Sequence, residues 1–294
     1  MKIPFPHLAL LLWVQAASPQ SNAVLSCSNF IAGTFEPGAT AYAFGDRLNI
    51  RREASTGGTV AAALKIGTPV EILSRGREED SLEQRGLREP WYQVRGEAEI
   101  LSTGARGMAK GWLWGGLLAK VTLVYDVDRD GTNEFLMLGF LSNQTRGWGK
   151  TAELRAIRGG KITQRLAFTV FDSPSQRAPR HTLWGEIFRA SGLEPAPNLL
   201  RLGFHDPLGA APSGEWLMVL DGAPLTLAVG AFGLAAGAED AGYRVLFPDQ
   251  LYGAAGLLAV EGLPFEALTS TNVRNAARER AHYGWDGRSF HREP

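Results

Sequence analysis

The stretch VTLVYDVDRDGTNEFLMLGFL, residues 121–141, consists of two apolar runs separated by a short acidic segment. Branched and aromatic side chains dominate the two runs, which is typical of strands. Within the segment, Asp126, Asp128 and Asp130 alternate along the chain, and Glu134 opens the second run. The stretch therefore predicts strand, loop and strand, with four carboxylates that repel one another unless a cation or water compensates their charge.

The spacing of these acids is typical of a calcium loop, since calcium binds about six to eight oxygen atoms. An EF-hand would require a glutamate where Met137 stands, with helices on both sides. The loop instead resembles the calcium loop of FG-GAP repeats, which are strand–loop–strand units. That resemblance implies a structural calcium ion held by Asp126, Asp128, Asp130, Thr132 and Glu134. The alternative is a metal-free turn in which the aspartates accept hydrogen bonds from nearby backbone amides.

The residues after this loop continue in the same style. TAELRAIRGGKITQRLAFTVF, residues 151–171, predicts a hairpin across Gly159 and Gly160, which completes a four-stranded unit. Related fragments, with an apolar strand, an aspartate and a glycine-rich loop, recur at 201–222, 243–262 and 283–290. Such recurrence predicts a β-repeat domain over residues 120–294, either blade-like or a sandwich.

Two segments in this domain predict short helices instead of strands. They are WGEIFRASGL at 184–193 and TNVRNAARERAHY at 271–283. The expected fold class is therefore all-β dominated, with one or two short helices.

Residues 47–119 form a different pattern. The blocks LNIRREAS, GTVAAALKIGTPVEIL, PWYQVR and GWLWGGLL follow one another there, with a break at Gly67-Thr68. Alternation within them predicts short strands that close into a small barrel. The expected inward residues are Leu48, Ile50, Val60, Leu64, Val70, Ile72, Tyr92, Val94 and Trp112.

The same four blocks resemble, in order, those of a bacterial SH3 domain. This resemblance implies an SH3-like β-barrel that recognises peptidoglycan or a peptide or protein ligand. Trp91 and Trp114, together with the charged loop 75–90, are expected to flank the ligand groove. The alternative is that these tryptophans only pack the barrel.

The amino terminus is typical of an exported bacterial protein. Residues 1–16 combine an early lysine with a short apolar run and predict a signal peptide. If Cys27 carries a lipid, the leader extends over 1–26, and the protein is tethered to a membrane. Residues 28–46 are expected to be a linker or a lead-in strand. The expected location is the periplasm, the outer membrane as a lipoprotein, or the exterior.

Composition restricts the function further. The formal net charge is zero, which argues against nucleic acid as a partner. The histidines show no metal-binding spacing, no nucleophile elbow or phosphate loop is present, and nothing selects Glu186 or Asp172 as catalytic carboxylates. The sequence therefore predicts a non-catalytic binding or scaffold protein of the envelope. The alternatives are a cell-wall hydrolase with a site in residues 120–294, and a surface adhesin.

Overall fold

The computed structural model is all-β in the parts of the chain that it describes. These parts are residues 30–31, 35–77, 80–84, 87–143, 149–171, 182–205, 212–220, 225–234, 243–250, 253–263, 277 and 279–294. No α-helix occurs in these ranges, and Gly115–Leu117 forms a 3-10 turn. The predicted leader 1–16 and Cys27 lie outside them.

Within the described ranges, none of the helical structure has the length and apolar character of a membrane span.

Nine strands of the described residues precede the 3-10 turn. They are β1 Phe30–Ile31, β2 Thr40–Tyr42, β3 Arg47–Arg51, β4 Val60–Lys65, β5 Pro69–Arg75, β6 Leu82–Gln84, β7 Leu87–Glu89, β8 Trp91–Ile100 and β9 Arg106–Trp114. Six of these form one sheet in the order β2-β5-β8-β4-β3-β9, which we call the N-terminal sheet. Strands β6 and β7 make a separate hairpin inside the segment that the sequence predicts to be an exposed loop.

The strand pairings of the N-terminal sheet run in a circuit. Strand β8 pairs with β4, β4 with β3, β3 with β9, and β9 again with β8. Strands β4 and β5 both pair with β8 and not with each other, although Gly67 turns the chain between them with a φ of 74°. The break at Gly67-Thr68 is therefore a corner between two partners of β8 and not a hairpin turn.

The core of the N-terminal sheet largely follows the expected alternation. Leu48, Ile50, Leu64, Val70, Ile72, Tyr92 and Val94 are at most 5% exposed. Val60 and Trp112 are only half-buried. Trp112 points the other way because its neighbour Leu113, paired with Tyr92, takes the inward position.

In the part of the chain that the structure describes, three antiparallel sheets follow, each made of four strands that are consecutive along the chain. Meander A contains β10 Val121–Tyr125, β11 Glu134–Asn143, β12 Gly149–Arg158 and β13 Lys161–Phe171. Meander B contains β14 Thr182–Arg189, β15 Asn198–His205, β16 Pro212–Val219 and β17 Thr226–Leu234, with β1 added beside β14. Meander C contains β18 Arg244–Leu246, β19 Leu257–Gly262, β20 Glu279–Trp285 and β21 Phe290–Arg292.

The meanders pack against one another through alternating apolar side chains. Leu136 and Leu138 of meander A share a core with Trp216 and Met218 of meander B. The neighbouring position Leu217 faces the opposite way and packs in a core with meander C. Meander B therefore lies between A and C, and both of its faces are covered.

The N-terminal sheet is joined to meander A on both faces of that meander. Trp91 and Trp114 enter the core that meanders A and B share. On the other face, Met137 packs beside Phe44 and Ile66. The two regions that the sequence separates at residue 119 are thus physically continuous.

The two helix predictions are wrong where the structure describes them. Residues 182–189 form β14, which pairs residue by residue with β15, and residues 279–283 belong to β20. Residues 271–276 lie outside the described residues. Pairing with a neighbouring strand overrides the local helical pattern of such short segments.

Candidate functional sites

The acidic loop joins β10 to β11 and curls so that its carboxylates converge. One oxygen from each of Asp126, Asp128 and Asp130 lies within 4.8 Å of the others. Arg129 and Gly131 adopt positive φ angles of 59° and 85°, which bend the backbone tightly. The convergence that the sequence predicts for these three aspartates is therefore present.

Backbone amides satisfy part of this negative charge. Asp126 accepts hydrogen bonds from the amides of Asp130 at 3.1 Å and Gly131 at 2.8 Å. Glu134 is 2% exposed and accepts a 2.8 Å bond from the amide of Val127. These bonds hold the loop in its curled form.

The remaining oxygens surround the guanidinium of Arg158, at the end of β12. Its Nη2 lies 3.0 Å from the Asp128 carboxylate and 3.1 Å from the carbonyl oxygen of Thr132. Nη1 donates to Asp130, and Nη2 also donates to Glu134. Four of the five expected calcium ligands thus contact one arginine, and Asp126 is the exception.

This contact changes the acidity of both partners. The hydrogen bond from Arg158, followed by that from the Thr132 amide, lowers the pKa of Asp130. The same hydrogen bond raises the pKa of Arg158. Both groups are therefore held in their charged forms.

The loop residues fit a hard divalent cation. All five supply oxygen, the ligand atom that calcium and magnesium prefer, and three of their carboxylates converge. A cation at this point needs the oxygens that Arg158 now contacts. The ion and the guanidinium are therefore competitors for one set of ligands.

Sequence reasoning missed Arg158 because its role depends on strand register. Phe135 of β11 pairs with Ile157 of β12, which places Arg158 directly beyond that pair and next to Glu134. The sequence did contain a signal for this contact. Arg158 stands directly before the Gly159-Gly160 turn, and Glu134 opens the partner strand.

Trp91 and Trp114 do not flank an exposed groove. They are 4% and 5% exposed, and they pair with each other across β8 and β9. The Trp114 indole nitrogen donates to the carbonyl oxygens of Leu82 and Glu89, so the β6–β7 hairpin covers it. The prediction that these two rings contact a ligand is corrected: they belong to the core, as in the packing alternative.

A different aromatic residue lies on the same face of the N-terminal sheet as Trp114, where it packs against the shared core but stays partly exposed. Trp112 pairs with Gln93 on one side and with Arg51 on the other, and Gln93 pairs with Ser74. Directly paired residues share a face, so these four side chains form a row across β5, β8, β9 and β3. All four are half-buried. We call this set the Trp112 row.

Asp286, Ser289 and His291 form a cluster that resembles a hydrolytic triad in composition only. His291 Nε2 lies 2.6 Å from Asp286 and 3.0 Å from the Ser289 hydroxyl. A triad needs the acid and the serine on opposite ring nitrogens, but here both meet the same one. The Asp286 pKa is lowered first by His291 and then by the amides of Ser289 and Arg288, which is the chemistry of a tight turn.

A second charged cluster lies between meanders B and C. Arg201 of β15 donates to Glu186 of β14 at 3.0 Å and lies 3.4 Å from Glu215 of β16. Burial raises the pKa of Glu215, with Glu186 adding to the rise and Arg201 opposing it. Burial likewise raises the pKa of Tyr243 to about 12. Arg201, Glu215 and Tyr243 line a cleft of about 580 Å³, which no sequence motif indicated.

Comparison of the chain with protein-family models, with curated proteins and with solved structures gave no match in any of the three.

Proposed function

We propose that the chain is an exported, non-catalytic binding or scaffold protein of the bacterial envelope. In this proposal the SH3-like region, residues 47–119, recognises peptidoglycan or a peptide, and the three meanders support it. The four sequence blocks fall on strands β3, β4, β5, β8 and β9, and the pairings of β3, β4, β8 and β9 run in a circuit as a small barrel requires.

The observation that carries the proposal is the Trp112 row. A partly exposed indole beside an amide, a hydroxyl and a guanidinium offers an apolar edge together with directional donors and acceptors. One nitrogen of that guanidinium, Nη1 of Arg51, already donates to the carbonyl oxygen of Gly58. Aromatic and arginine side chains in this combination are common at recognition sites. The row takes the place of the groove that the sequence assigned to Trp91 and Trp114.

The test is retention of the full chain on purified cell-wall sacculi. We expect the parent protein to co-sediment and the Trp112→Ala variant to lose affinity by about tenfold or more, as for a central aromatic contact. Deleting residues 47–119 is unsuitable, because that would expose the core shared with meander A.

Met108→Ala is the matched control, since Met108 lies on the same strand and is 66% exposed. Equal retention of parent and Trp112→Ala protein would contradict the proposal. A falling turbidity of the sacculi during incubation would favour the hydrolase alternative instead.

For the meanders we propose a structural role in which a calcium ion can join the acidic loop. The support is the convergence of Asp126, Asp128 and Asp130, with the Thr132 carbonyl and the buried Glu134 contacting the same guanidinium. The ion would be held by these five residues, and its charge would replace that of Arg158.

A further inference from the structure

The cleft between meanders B and C combines a buried acid with an arginine that has no acceptor in the described chain. Glu215 is 6% exposed and reaches the cleft from β16. Arg244 reaches it from β18 and is exposed. The neighbouring acid Glu261, paired with Arg244 across the sheet, is instead bonded to Arg280 at 3.1 Å. A positive group thus stands at the mouth and a negative group within.

The cleft contains charges of both signs. Arg201, Arg244 and Glu215 line it, and Arg201 lies 3.4 Å from Glu215. Glu186 is not part of the lining, but it accepts a hydrogen bond from Arg201 and so offsets part of the positive charge. A ligand with a large net charge of either sign would therefore meet an opposing group. A ligand that carries one charge of each sign matches both ends.

The strand that forms one wall adds apolar surface and further donors. Residues 243–246 all line the cleft. Strand β18 is the edge strand of meander C, and this edge faces the cleft. Gln250 accepts a bond from the Phe247 amide through its oxygen, which leaves its amide nitrogen as a donor. The site therefore offers an apolar wall between two charged anchor points.

We propose that this cleft binds an amino acid or short peptide through its ammonium and carboxylate groups. The ammonium group lies against Glu215, the carboxylate lies against Arg244, and an apolar side chain lies along Val245 and Leu246. A guanidinium can hold a carboxylate with two parallel hydrogen bonds. This site is separate from the Trp112 row and does not depend on it.

The experiment titrates the full chain with leucine, leucinamide and N-acetylleucine in a calorimeter. Leucinamide lacks the carboxylate and N-acetylleucine lacks the ammonium group, so each removes one anchor. We expect leucine to bind at least about tenfold more tightly than either analogue. The affinity for leucyl-leucine is then compared with that for leucine. Tighter binding of the dipeptide indicates a short peptide as the preferred ligand, and tighter binding of leucine indicates a free amino acid.

Two substitutions assign the anchors. Arg244→Gln should abolish the preference for leucine over leucinamide, and Glu215→Gln should abolish the preference for leucine over N-acetylleucine. Arg106→Gln, an exposed arginine on the β8–β9 hairpin, is the control and should bind leucine like the parent.

Three results would overturn the proposal. They are equal affinity for the three probes, tighter binding of N-acetylleucine, which would indicate a plain anion site, and no saturable heat up to about 10 mM leucine. The Trp112→Ala protein should bind leucine like the parent. A failure of leucine binding and a failure of cell-wall binding are therefore separate outcomes.

Discussion

At the scale of single residues, Arg158 decides how the acidic loop is neutralised. Its guanidinium lies among Asp128, Asp130 and Glu134, where the sequence alone suggested an ion. A protein side chain can thus supply the positive charge that the aspartates require. The question for the loop is therefore which cation it prefers, its own arginine or a divalent ion.

Arg158→Gln separates these two cations. Without calcium we expect the variant to melt a few degrees below the parent, because the carboxylates lose their counter-charge. With calcium added, the variant should gain more in melting temperature than the parent and bind the ion more tightly, because its competitor is gone. Calorimetry and thermal melts measure both effects.

Arg165→Gln is the matched control. Arg165 is half-exposed on the next strand, and its ion pair with Asp46 is a long one at 3.7 Å. Asp128→Ala combined with Asp130→Ala should abolish any calcium response. If calcium shifts neither the parent nor Arg158→Gln, the loop is a metal-free turn.

Acid should loosen the same loop. Because Arg158 lowers the folded-state pKa of Asp130, the ionised carboxylate contributes stability above its unfolded pKa of about 3.8. That contribution is lost as pH falls through the folded value. An acid titration followed by circular dichroism should therefore show the parent losing stability below pH 4 more steeply than Asp130→Asn.

The pH dependence of stability that comes from Glu215 is opposite to that of Asp130. Burial raises its folded pKa above the ordinary 4.5, so ionising it in the folded protein costs free energy. Stability associated with Glu215 is complete below the unfolded pKa and falls as pH rises towards the folded pKa. We expect Glu215→Gln to be more stable than the parent at pH 7 and to match it near pH 4. Urea unfolding at the two pH values tests this, and a less stable variant at pH 7 would contradict it.

At the scale of elements, a buried ion pair connects the β6–β7 hairpin to the start of meander A. Lys120 Nζ lies 3.1 Å from Glu89 and 3.3 Å from the carbonyl oxygen of Gly115. Both side chains are at most 5% exposed. A charge this deeply buried depends on its partner, since water cannot solvate it.

Lys120→Met should therefore destabilise the protein strongly. It leaves the carboxylate of Glu89 buried without a cation, for which a loss of about 3–5 kcal/mol in the free energy of unfolding is typical. Changing Glu89→Leu in the same protein should recover much of that loss, because it removes the unpaired buried carboxylate. Denaturant unfolding provides the measurement.

The surface pair of Arg106 and Glu97, both more than half exposed, is the comparison. Glu97→Gln should cost less than about 1 kcal/mol. A similarly small cost for Lys120→Met would show that the buried pair does not connect these elements.

Local sequence predicted the elements better than their partners. The hairpin across Gly159 and Gly160 is confirmed, since both glycines have the positive φ that such a turn needs. The alternation in LNIR also gave the correct inward residues. By contrast, 184–193 was interpreted as a helix, because short apolar segments fit both periods until a neighbouring strand selects one.

The candidate sites follow the same division. The converging aspartates were predictable because they lie within one loop. Arg158, the Trp112 row and the cleft at Glu215 were not, because each depends on residues brought together by pairing or packing between distant strands. For Trp112, the error was one step of alternation, since Leu113 takes the inward position. Trp114 lies on the same face as Trp112 and is buried because the β6–β7 hairpin covers it.

At the scale of the whole molecule, shared cores couple the regions that the sequence divides. One apolar cluster contains residues from the N-terminal sheet and from meanders A and B, and a second joins B to C. Cooperative unfolding is expected where no weakly packed boundary interrupts the core.

We therefore predict a single unfolding transition for the chain. Tryptophan fluorescence and far-ultraviolet circular dichroism should give coincident denaturation curves. Trp114→Ala should shift both curves together, by about 3–5 kcal/mol for a large core side chain. Two separate transitions, with only one shifted by Trp114→Ala, would show that the regions fold independently.

The position of strand β1 decides which side of the molecule lies nearest to Cys27. Phe30 and Ile31 pair with Leu183 and Thr182 at the edge of meander B, although the next strand of the chain belongs to the N-terminal sheet. Cys27 precedes Phe30 by three residues, a reach of at most about 10 Å. An acyl chain on that thiol would bring the β1 edge of meander B to the bilayer. Because meander B lies between meanders A and C, the middle meander would then be the one held nearest to the membrane.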